Sequence, residues 1–419
     1  MLRFVYSTLF RLILPFVLIR LWWQGRTTPE AVAHWQDRIG LIPRSDKPVI
    51  WVHAVSVGET IAAAPLVRSL LARRPDARIL MTAMTATGRA RANALFGDRV
   101  SYAYSPYDTP GSVRRFLRRA RPQALVIMET ELWPNMIYQT AAAGTPVYLI
   151  NARLSERSAR SYQRLPGASR QLLRQIDWIA AQADGDAQRF VETGARADSV
   201  SITGSVKFDV EVTDALRQAA AALRSQLGGE RPVWIAASTH EGEDEQILDA
   251  HQQVLAGTRD ALLVLVPRHP ERFDDVAALV RQRNLGLVRR SEGGDASDCQ
   301  VYLADTMGEL MMLYGAADVA FVGGSLIERG GHNPLEPAAW GMPVMTGPHV
   351  FNFDDIYERL ESGEGLVRVQ GSSELAEALS GCFADSTYRQ QLGRNALAVV
   401  DANRGALKRV VAGIVEKLG

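Results

Sequence analysis

The chain has 419 residues and nearly balanced charge, with 47 Lys and Arg against 46 Asp and Glu. This length suits two domains of roughly 200 residues, each with its own core, and the balance argues against a nucleic-acid partner, which would favour a large basic excess. Two distant cysteines, Cys299 and Cys382, indicate either a reducing compartment or simply no disulfide framework.

The first predicted element is an apolar helix over residues 1–23, about as long as a membrane-spanning helix. Arg3, Arg11 and Arg20 interrupt it, and an arginine in mid-bilayer costs roughly 2.5–3.5 kcal/mol or more. No small-residue cleavage site follows, so we predict a retained anchor rather than a removed signal peptide. We expect it to lie in one leaflet or to cross it shallowly; a spanning helix and an ordinary core helix are the alternatives.

After this segment the chain alternates short apolar strands with helical stretches, which is typical of parallel sheets. Strands are predicted in the first half at 49–53, 78–81, 124–128 and 147–150, and in the second half at 233–237, 262–266, 301–303, 319–322 and 343–345. The predicted domains are 24–208 and 209–385. Helices over 386–419 have no strand of their own and are candidates to cross back onto the first domain. We expect two Rossmann-like, doubly wound domains whose strand-end loops face each other across a cleft.

The loop after the first strand carries the first candidate site. Ser56 and Glu59 fit a capping box, with Gly58 between them. Alternatively, Glu59 is a carboxylate held at a helix start beside a cleft, where it is suited to accept a proton. The local pattern leaves both interpretations open.

Two further candidate segments lie in the first half of the chain, one in a loop after a predicted strand and one at the domain boundary. Glu129 and Glu131 place two acids in one loop after a strand. Lys207 lies at the boundary and is placed to neutralise a phosphate or a carboxylate. Paired acids in a loop are often merely solvated, so neither segment identifies a reaction alone.

The most informative pattern is the loop 323–337, which reads as strand end, glycine-rich loop and helix start. Asn333 can cap the helix, Pro334 suits its first position, and Glu336 falls in its first turn. Glycines let backbone amides approach a phosphate, a helix start adds partial positive charge, and Glu336 is placed to hold ribose hydroxyls. The segment predicts a sugar-nucleotide site; a capping pair without a ligand is the alternative. Its candidate residues are Gly323, Gly324, Ser325, Asn333, Pro334, Leu335 and Glu336.

Two other loops of the second half carry polar candidates. Ser238 and Glu241 repeat the capping-box spacing, and His240 is a candidate ligand or acid. Arg268 is placed to meet an anion, because arginine forms paired hydrogen bonds with phosphate oxygens. The seven histidines show no metal-binding spacing, and we predict no metal and no cofactor.

Several of these motifs occur together in the order typical of one family. The segments that match are 53–59, 129–135, 151–155, 204–209, 238–243, 267–272 and 323–337. With the N-terminal helix, the chain resembles the 3-deoxy-D-manno-octulosonic acid (Kdo) transferases of lipopolysaccharide assembly. The resemblance implies the GT-B glycosyltransferase fold. It also implies transfer of Kdo from CMP-Kdo to a lipid A precursor at the cytoplasmic face of the inner membrane.

The resemblance also implies residue roles. Glu59 takes the place of the general base, and Glu129 and Lys207 fall where the family assists the transition state. The positions that match CMP-binding residues are Pro267, Arg268, Gly308, Glu309, Leu310, Asn333, Pro334, Leu335 and Glu336. A base on the acceptor side would give single displacement with inversion. CMP leaves as a phosphate monoester, so cationic side chains can stabilise its charge without a divalent ion.

Two basic segments suit an anionic lipid acceptor or membrane surface. Their leading candidates are Arg114, Arg115, Arg118, Arg119, Arg153 and Arg157. They are placed to rest on anionic headgroups or to grip lipid A phosphates, with a solvated helix face as the alternative. Two other functions stay open: a sugar-nucleotide epimerase of the same architecture, and a membrane-bound nucleotide-sugar-binding protein without catalysis.

Overall fold

The structure, a computed structural model, describes residues 2–26 and 32–419. The chain divides into two compact units. The first comprises the residues up to Asp209 together with Arg404–Gly419, and the second comprises Val210–Asn403.

The first unit is built on a parallel sheet of seven strands in the order β3-β2-β1-β4-β5-β6-β7. The strands are β1 (Val49–His53), β2 (Arg78–Ala83), β3 (Ser101–Tyr104), β4 (Pro122–Met128), β5 (Val147–Ala152), β6 (Trp178–Ala181) and β7 (Val200–Ile202). The helices are α1 (Leu2–Gln24), α2 (Val57–Arg73), α3 (Ala86–Phe96), α4 (Pro110–Ala120), α5 (Pro134–Ala142), α6 (Glu156–Gln163), α7 (Pro166–Leu173) and α8 (Asp184–Thr193). Every residue of β1 is buried, as expected for a strand with helices on both faces.

The second unit repeats this plan with the strand order β10-β11-β9-β8-β12-β13-β14, again all parallel. The strands are β8 (Val233–Thr239), β9 (Leu262–Pro267), β10 (Leu287–Arg289), β11 (Val301–Leu303), β12 (Val319–Val322), β13 (Val344–Thr346) and β14 (Leu366–Arg368). The helices are α9 (Asp214–Gln226), α10 (Asp244–Gly257), α11 (Phe273–Gln282), α12 (Leu310–Gly315), α13 (Leu335–Ala339), α14 (Asp354–Ser362), α15 (Ser372–Ala384) and α16 (Ser386–Asn403).

The C-terminal helices, taken together in the sequence analysis as 386–419, divide between the two units. Helix α16 stays with the second unit, where Gly393 lies so close to Gly341 that an added Cβ would come within 2.1 Å of its carbonyl oxygen. The last helix, α17 (Ala406–Leu418), belongs to the first unit. Asp209 fixes its start, because its carboxylate accepts hydrogen bonds from the backbone amides of Gly405 and Leu407 at 2.6 and 2.7 Å. The return to the first unit therefore begins near residue 404.

Helix α1 is long and apolar enough to cross a membrane, with a mean hydropathy of 1.7 over an 18-residue stretch within Arg3–Gln24. It is fixed to the first unit near its beginning. The Tyr6 hydroxyl donates to the buried Asp108 carboxylate at 2.9 Å, and the Ser7 hydroxyl donates to the side-chain oxygen of Asn135 at 2.9 Å. Most of its apolar side chains are uncovered; Phe16, for example, is 70% exposed. A core helix would have its apolar faces buried, so this alternative is wrong.

Candidate active site

Four loops that carry predicted site residues lie at the point in each sheet where the strand order reverses. In the first unit the order reverses between β1 and β4, and the candidate loops follow these two strands. In the second unit it reverses between β8 and β12, and the candidate loops follow those strands. Ligands of open α/β sheets bind in the crevice outside the carboxyl ends of strands at such a point. The fold therefore brings each unit's candidates to the edge where chemistry is expected.

Glu59 forms the predicted capping box with Ser56, and its carboxylate also remains a candidate proton acceptor. Ser56 caps α2 by accepting a hydrogen bond from the Glu59 backbone amide at 3.2 Å, and the Ser56 hydroxyl donates to the Glu59 carboxylate at 3.1 Å. The Val55 amide donates to the other carboxylate oxygen at 2.9 Å. The side chain is buried, and burial is the main reason that its pKa is raised to about 7; the charges of Glu131 and Glu129 raise it as well, against the hydrogen bonds from Val55 and Ser56. A carboxyl group with this pKa is poised to exchange a proton near neutral pH.

Lys207 and Glu129 form an ion pair, with the ammonium nitrogen 3.1 Å from a carboxylate oxygen. Asn151, at the end of β5, sets this geometry: its side-chain oxygen accepts from the Val206 amide at 3.1 Å and fixes the turn that carries Lys207. The sequence analysis missed this role, although Asn151 stood in a matching segment. Both side chains of the pair keep 31% exposure, so the pair is accessible from solvent.

Three non-glycine residues at strand ends hold a left-handed backbone conformation. These are Glu129 after β4, Asn151 in β5 and Ser238 in β8, with φ of 57°, 51° and 61°. Such conformations cost of order 1–3 kcal/mol each and cluster at functional sites. Their occurrence in both units, beside the residues predicted from motifs, supports the placement of the two sites.

In the second unit, Arg268 and the Asn333–Glu336 segment form the candidate donor site. Within the described part of the chain, the Arg268 guanidinium makes no hydrogen bond and no ion pair, and it is exposed. Asn333 accepts from the Leu335 amide at 3.1 Å and donates to the Glu336 carboxylate at 3.4 Å. Burial raises the pKa of Glu336, while Asn333 and the charge of Arg268 lower it. The helix begins at Leu335 with Pro334 before it rather than in its first position, so Asn333 holds the entry to the helix and the Glu336 carboxylate, on which the charge of Arg268 also acts.

The glycine-rich loop differs from the expectation that its amides meet a phosphate. The amides of Gly324, Ser325 and Leu326 donate to the buried carboxylate of Glu243, at 2.7, 3.0 and 3.0 Å. Gly323 is needed because an added Cβ would lie 2.8 Å from the same carboxylate. An internal anion thus holds this loop, and the interpretation of these amides as phosphate ligands is wrong. Sequence reasoning missed Glu243, whose partners lie about 80 residues away.

The capping-box spacing of Ser238 and Glu241 does not form a box. Helix α10 begins only at Asp244, with Glu243 before it. The Thr239 hydroxyl instead donates to the buried Asp244 carboxylate at 2.6 Å, and Arg272 forms an ion pair with the same carboxylate. Two residues beyond Ser238, His240 lies with its ring against other histidines rather than alone in the loop.

The remaining predicted donor positions are partly structural. The Arg290 guanidinium forms a bidentate ion pair with the Glu309 carboxylate, with N···O distances of 2.8 and 3.0 Å. This pairing is the main cause of the lowered pKa of Glu309. Gly308 has a φ of 89°, which favours glycine, and Leu310 opens α12. Pro267 ends β9 directly before Arg268. Any contact made by the segment 308–310 is therefore more readily made by its backbone than by the occupied Glu309 carboxylate.

The arginines of α4 divide into two pairs. Arg115 and Arg119 donate to the backbone carbonyls of Ile39 and Ile42 at 2.8 and 3.2 Å, so they fix the preceding segment. Arg114 and Arg118 are exposed and line a cavity of about 460 Å³ between α4 and α5. Arg153 and Arg157, at the start of the second basic segment, are exposed as well. In the described residues, no group of three or more His, Cys, Asp or Glu side chains is arranged to hold a metal ion.

These features define an α/β protein of the GT-B fold, with two doubly wound parallel sheets. The fold recurs in the UDP-GlcNAc 2-epimerase of Neisseria meningitidis bound to UDP-GlcNAc, which has 15% identity and a TM-score of 0.55 over 88% of this chain and all of the other. At this identity the likeness shows the fold alone.

Comparison of sequences gives the family. A family model described as 3-deoxy-D-manno-octulosonic-acid transferase (kdotransferase) matches residues 33–210. The 3-deoxy-D-manno-octulosonic acid transferase of Haemophilus influenzae is 41% identical over 98% of this chain and 97% of its own length. That of Bordetella pertussis is 39% identical over the full length of both. The chain belongs to the 3-deoxy-D-manno-octulosonic acid transferase family and is a glycosyltransferase.

Proposed function

We propose that this enzyme transfers Kdo from CMP-Kdo to a sugar hydroxyl of a lipid A precursor, with inversion at the anomeric carbon. The observation that carries the proposal is Glu59: a buried carboxyl group at the reversal point of the first sheet, with a pKa raised to about 7. Membership of the Kdo transferase family supports Kdo as the transferred group, and the lipid A precursor as acceptor is part of our proposal.

Glu59 serves as the general base in this proposal. Its carboxylate takes the proton of the acceptor hydroxyl while the hydroxyl oxygen attacks the anomeric carbon. A base with a pKa near the working pH is still largely able to accept a proton and is basic enough to pull one away. The hydrogen bonds from Val55 and Ser56 hold the carboxylate in one position, which keeps it oriented throughout the reaction.

The Lys207–Glu129 pair supports the transition state. The sugar acquires oxocarbenium character as the bond to phosphate lengthens, and charged groups fixed in advance stabilise such charge without having to reorient. The pair is fixed by the Asn151 contact to the Val206 turn. Lys207 supplies positive charge for an anionic group of the substrates, and Glu129 holds Lys207 in position.

The second unit binds the donor. Arg268 is exposed and has no partner among the described side chains, so its guanidinium is available to the CMP phosphate. Glu336, held by Asn333, is suited to accept hydrogen bonds from ribose hydroxyls. Because cationic side chains meet the leaving phosphate, the reaction needs no divalent cation.

We place the enzyme at the cytoplasmic face of the inner membrane, held by α1. The uncovered apolar side chains of α1 support contact with lipid, and its attachment through Tyr6 and Ser7 keeps the first unit next to the bilayer. The exposed pair Arg114 and Arg118 is available to anionic headgroups or to acceptor phosphates.

The test is mass spectrometry of the lipid after purified enzyme is incubated with CMP-Kdo and lipid IVA. The proposal predicts a lipid heavier by one or more Kdo residues, together with released CMP. A parallel reaction with UDP-GlcNAc tests the epimerase alternative. An unchanged lipid together with an epimerised UDP-sugar would overturn the proposal, and CMP-Kdo binding without any product would favour a non-catalytic binding protein.

A further inference from the structure

Two histidines of the second unit face each other through ring nitrogens. His240, in the loop after β8, and His332, in the loop after β12, have their Nε2 atoms 2.8 Å apart. Their ring planes differ by 3° and their centroids lie 5.1 Å apart. The motif that identified the loop 323–337 includes His332 but gave it no role, and His240 was predicted only as a candidate ligand or acid.

The contact determines how many protons the pair can carry. A hydrogen bond between two Nε2 atoms needs one N–H donor and one lone pair, so the two neutral rings are opposite tautomers. One further proton can enter at the free Nδ1 of the donor ring and leave the Nε2–H···Nε2 bond intact and charge-assisted. A second would place two N–H groups against each other. The pair is therefore built to hold zero or one positive charge.

The surroundings keep this charge at zero when no anion is bound. Burial lowers the pKa of His240 to about 4 and that of His332 to about 3, with cationic neighbours adding to the effect. The charged groups whose fields lower these values are Arg268, Arg272, Arg329 and His269. Of these, Arg272 is already paired with Asp244, and the Nδ1 atom of His269 lies 3.8 Å from Glu271.

The other neighbours act on the backbone of the two histidines. The His240 amide donates to the Glu243 carboxylate at 3.3 Å, and the Tyr357 hydroxyl donates to the His332 carbonyl at 3.0 Å. Both contacts fix the position of the rings without neutralising added charge on them. An incoming anion supplies the negative charge that favours protonation of the pair.

The position of the pair indicates which anion this is. His332 directly precedes Asn333, and the charge of Arg268 is felt by both histidines and by Glu336. Both rings are half-buried, so a ligand can reach them. Gly324 lies against them: an added Cβ would be 3.1 Å from the His332 ring and 3.5 Å from the His240 ring. The glycine leaves room for the imidazole pair.

We propose that the His240–His332 pair contacts the phosphate of the donor nucleotide, takes up one proton when that phosphate binds, and gives the proton to the departing phosphate oxygen. This inference rests on the proposed function and adds a proton donor to it. As the bond from the anomeric carbon to the phosphate oxygen breaks, its electron pair stays on that oxygen, which receives the imidazolium proton. The acceptor oxygen bonds to the anomeric carbon and its proton passes to Glu59. The pair is then neutral again, as in the free enzyme, and loss of the Glu59 proton to solvent balances the proton that the pair took up when the donor bound.

Isothermal titration calorimetry of CMP binding at pH 7, in buffers of different ionisation enthalpy, tests this directly. We expect uptake of a large fraction of one proton per CMP bound. A phosphate monoester with a second pKa near 6 that binds as the dianion can only release protons, so the variants below distinguish uptake by the pair from uptake by the nucleotide. Cytidine, which lacks the phosphate, should bind without uptake.

Variants assign the proton. His240→Asn and His332→Asn should abolish the uptake and lower kcat by roughly 10²-fold or more, the range of general acid catalysis. His269→Asn is the matched control and should retain the uptake. Uptake that persists in both pair variants would come from carboxyl groups and would overturn the inference. If these variants do not fold, NMR of histidine-labelled wild-type protein replaces them: His240 or His332 must become an imidazolium on addition of CMP.

The two proposals fail in different ways. Failure of CMP to bind at all would count against the proposed function. Normal CMP binding without proton uptake, or with both rings neutral in the complex, would leave the transferase assignment intact and refute the role of the histidine pair.

Discussion

Replacement of Glu59 by glutamine separates its role in capping α2 from its proposed role as the general base. The expected effect of the replacement on the free energy of unfolding depends on pH. Glutamine retains the shape and an oxygen that can accept from the Val55 amide. It removes a carboxylate whose folded-state pKa is raised from 4.5 to about 7. A raised carboxyl pKa contributes stability below about pH 4.5, and that contribution is lost as the pH rises through 7.

The magnitude follows from this interval. At about 1.4 kcal/mol for each pH unit, the buried charge costs the wild type roughly 3 kcal/mol of unfolding free energy at pH 8 and above. Weakened capping offsets part of the gain, by about 0.5–2 kcal/mol. We expect Glu59→Gln to match the wild type or fall slightly below it at pH 5, and to exceed it by several degrees in Tm at pH 8.5. Turnover should fall about 10²–10⁴-fold.

The assay is thermal unfolding at pH 5, 7 and 8.5, together with CMP affinity and turnover on the same preparations. Thr213→Ala is the matched control, since Thr213 caps α9 by accepting from the Leu216 amide at 3.2 Å. It should lower stability equally at every pH and leave turnover unchanged. A Glu59→Gln variant that is less stable at all three pH values and turns over normally would show that Glu59 only caps α2, and would shift suspicion to Glu129.

Four further predictions concern the same proposal. Wild-type kcat at saturating substrates should rise with pH through about 7 as Glu59 loses its proton; a flat kcat profile between pH 5.5 and 8.5 would contradict the base role. Lys207→Gln should reduce turnover roughly 10²–10³-fold, as expected for loss of one preorganised charge, with Tm and CMP affinity close to wild type; a loss confined to CMP affinity would refute it. Removal of residues 1–23 should release the protein from vesicles while CMP binding persists, and should lower the Tm of the first unit because buried Asp108 loses the Tyr6 hydroxyl; sedimentation with salt-washed vesicles would show that other surfaces dominate. Transfer should also survive excess EDTA, and a loss that magnesium restores would count against metal-free chemistry.

The strand framework could be predicted because its inner strands are continuous apolar runs buried on both faces. The runs at 49–53 and 233–237 lie within fully buried strands. The strands that sequence reasoning missed include β7 and β10, three-residue edge strands whose residues are only partly buried or exposed. They have no apolar run, and their pairing depends on neighbours distant in the chain.

Local spacing predicted one of two similar helix starts. Ser56 and Glu59 form the capping box, whereas Ser238 and Glu241 share the spacing without forming one. The difference comes from Glu243, whose carboxylate is engaged by amides of the loop after β12. The raised pKa of Glu59 has the same kind of origin, since burial and the charges of the loop after β4 produce it. Motifs identified the candidate residues of both units, but only the folded contacts assign protonation states and partners to them.

The most direct test of the account is NMR of the lipid product formed from CMP-Kdo and a lipid A precursor. The account predicts a new Kdo residue in glycosidic linkage to the acceptor sugar, with the anomeric configuration inverted relative to CMP-Kdo. Glu59→Gln should form this product at a rate lower by at least about two orders of magnitude. A linkage that retains the donor configuration would contradict single displacement with Glu59 as the base, and the absence of any Kdo linkage would contradict the assignment itself.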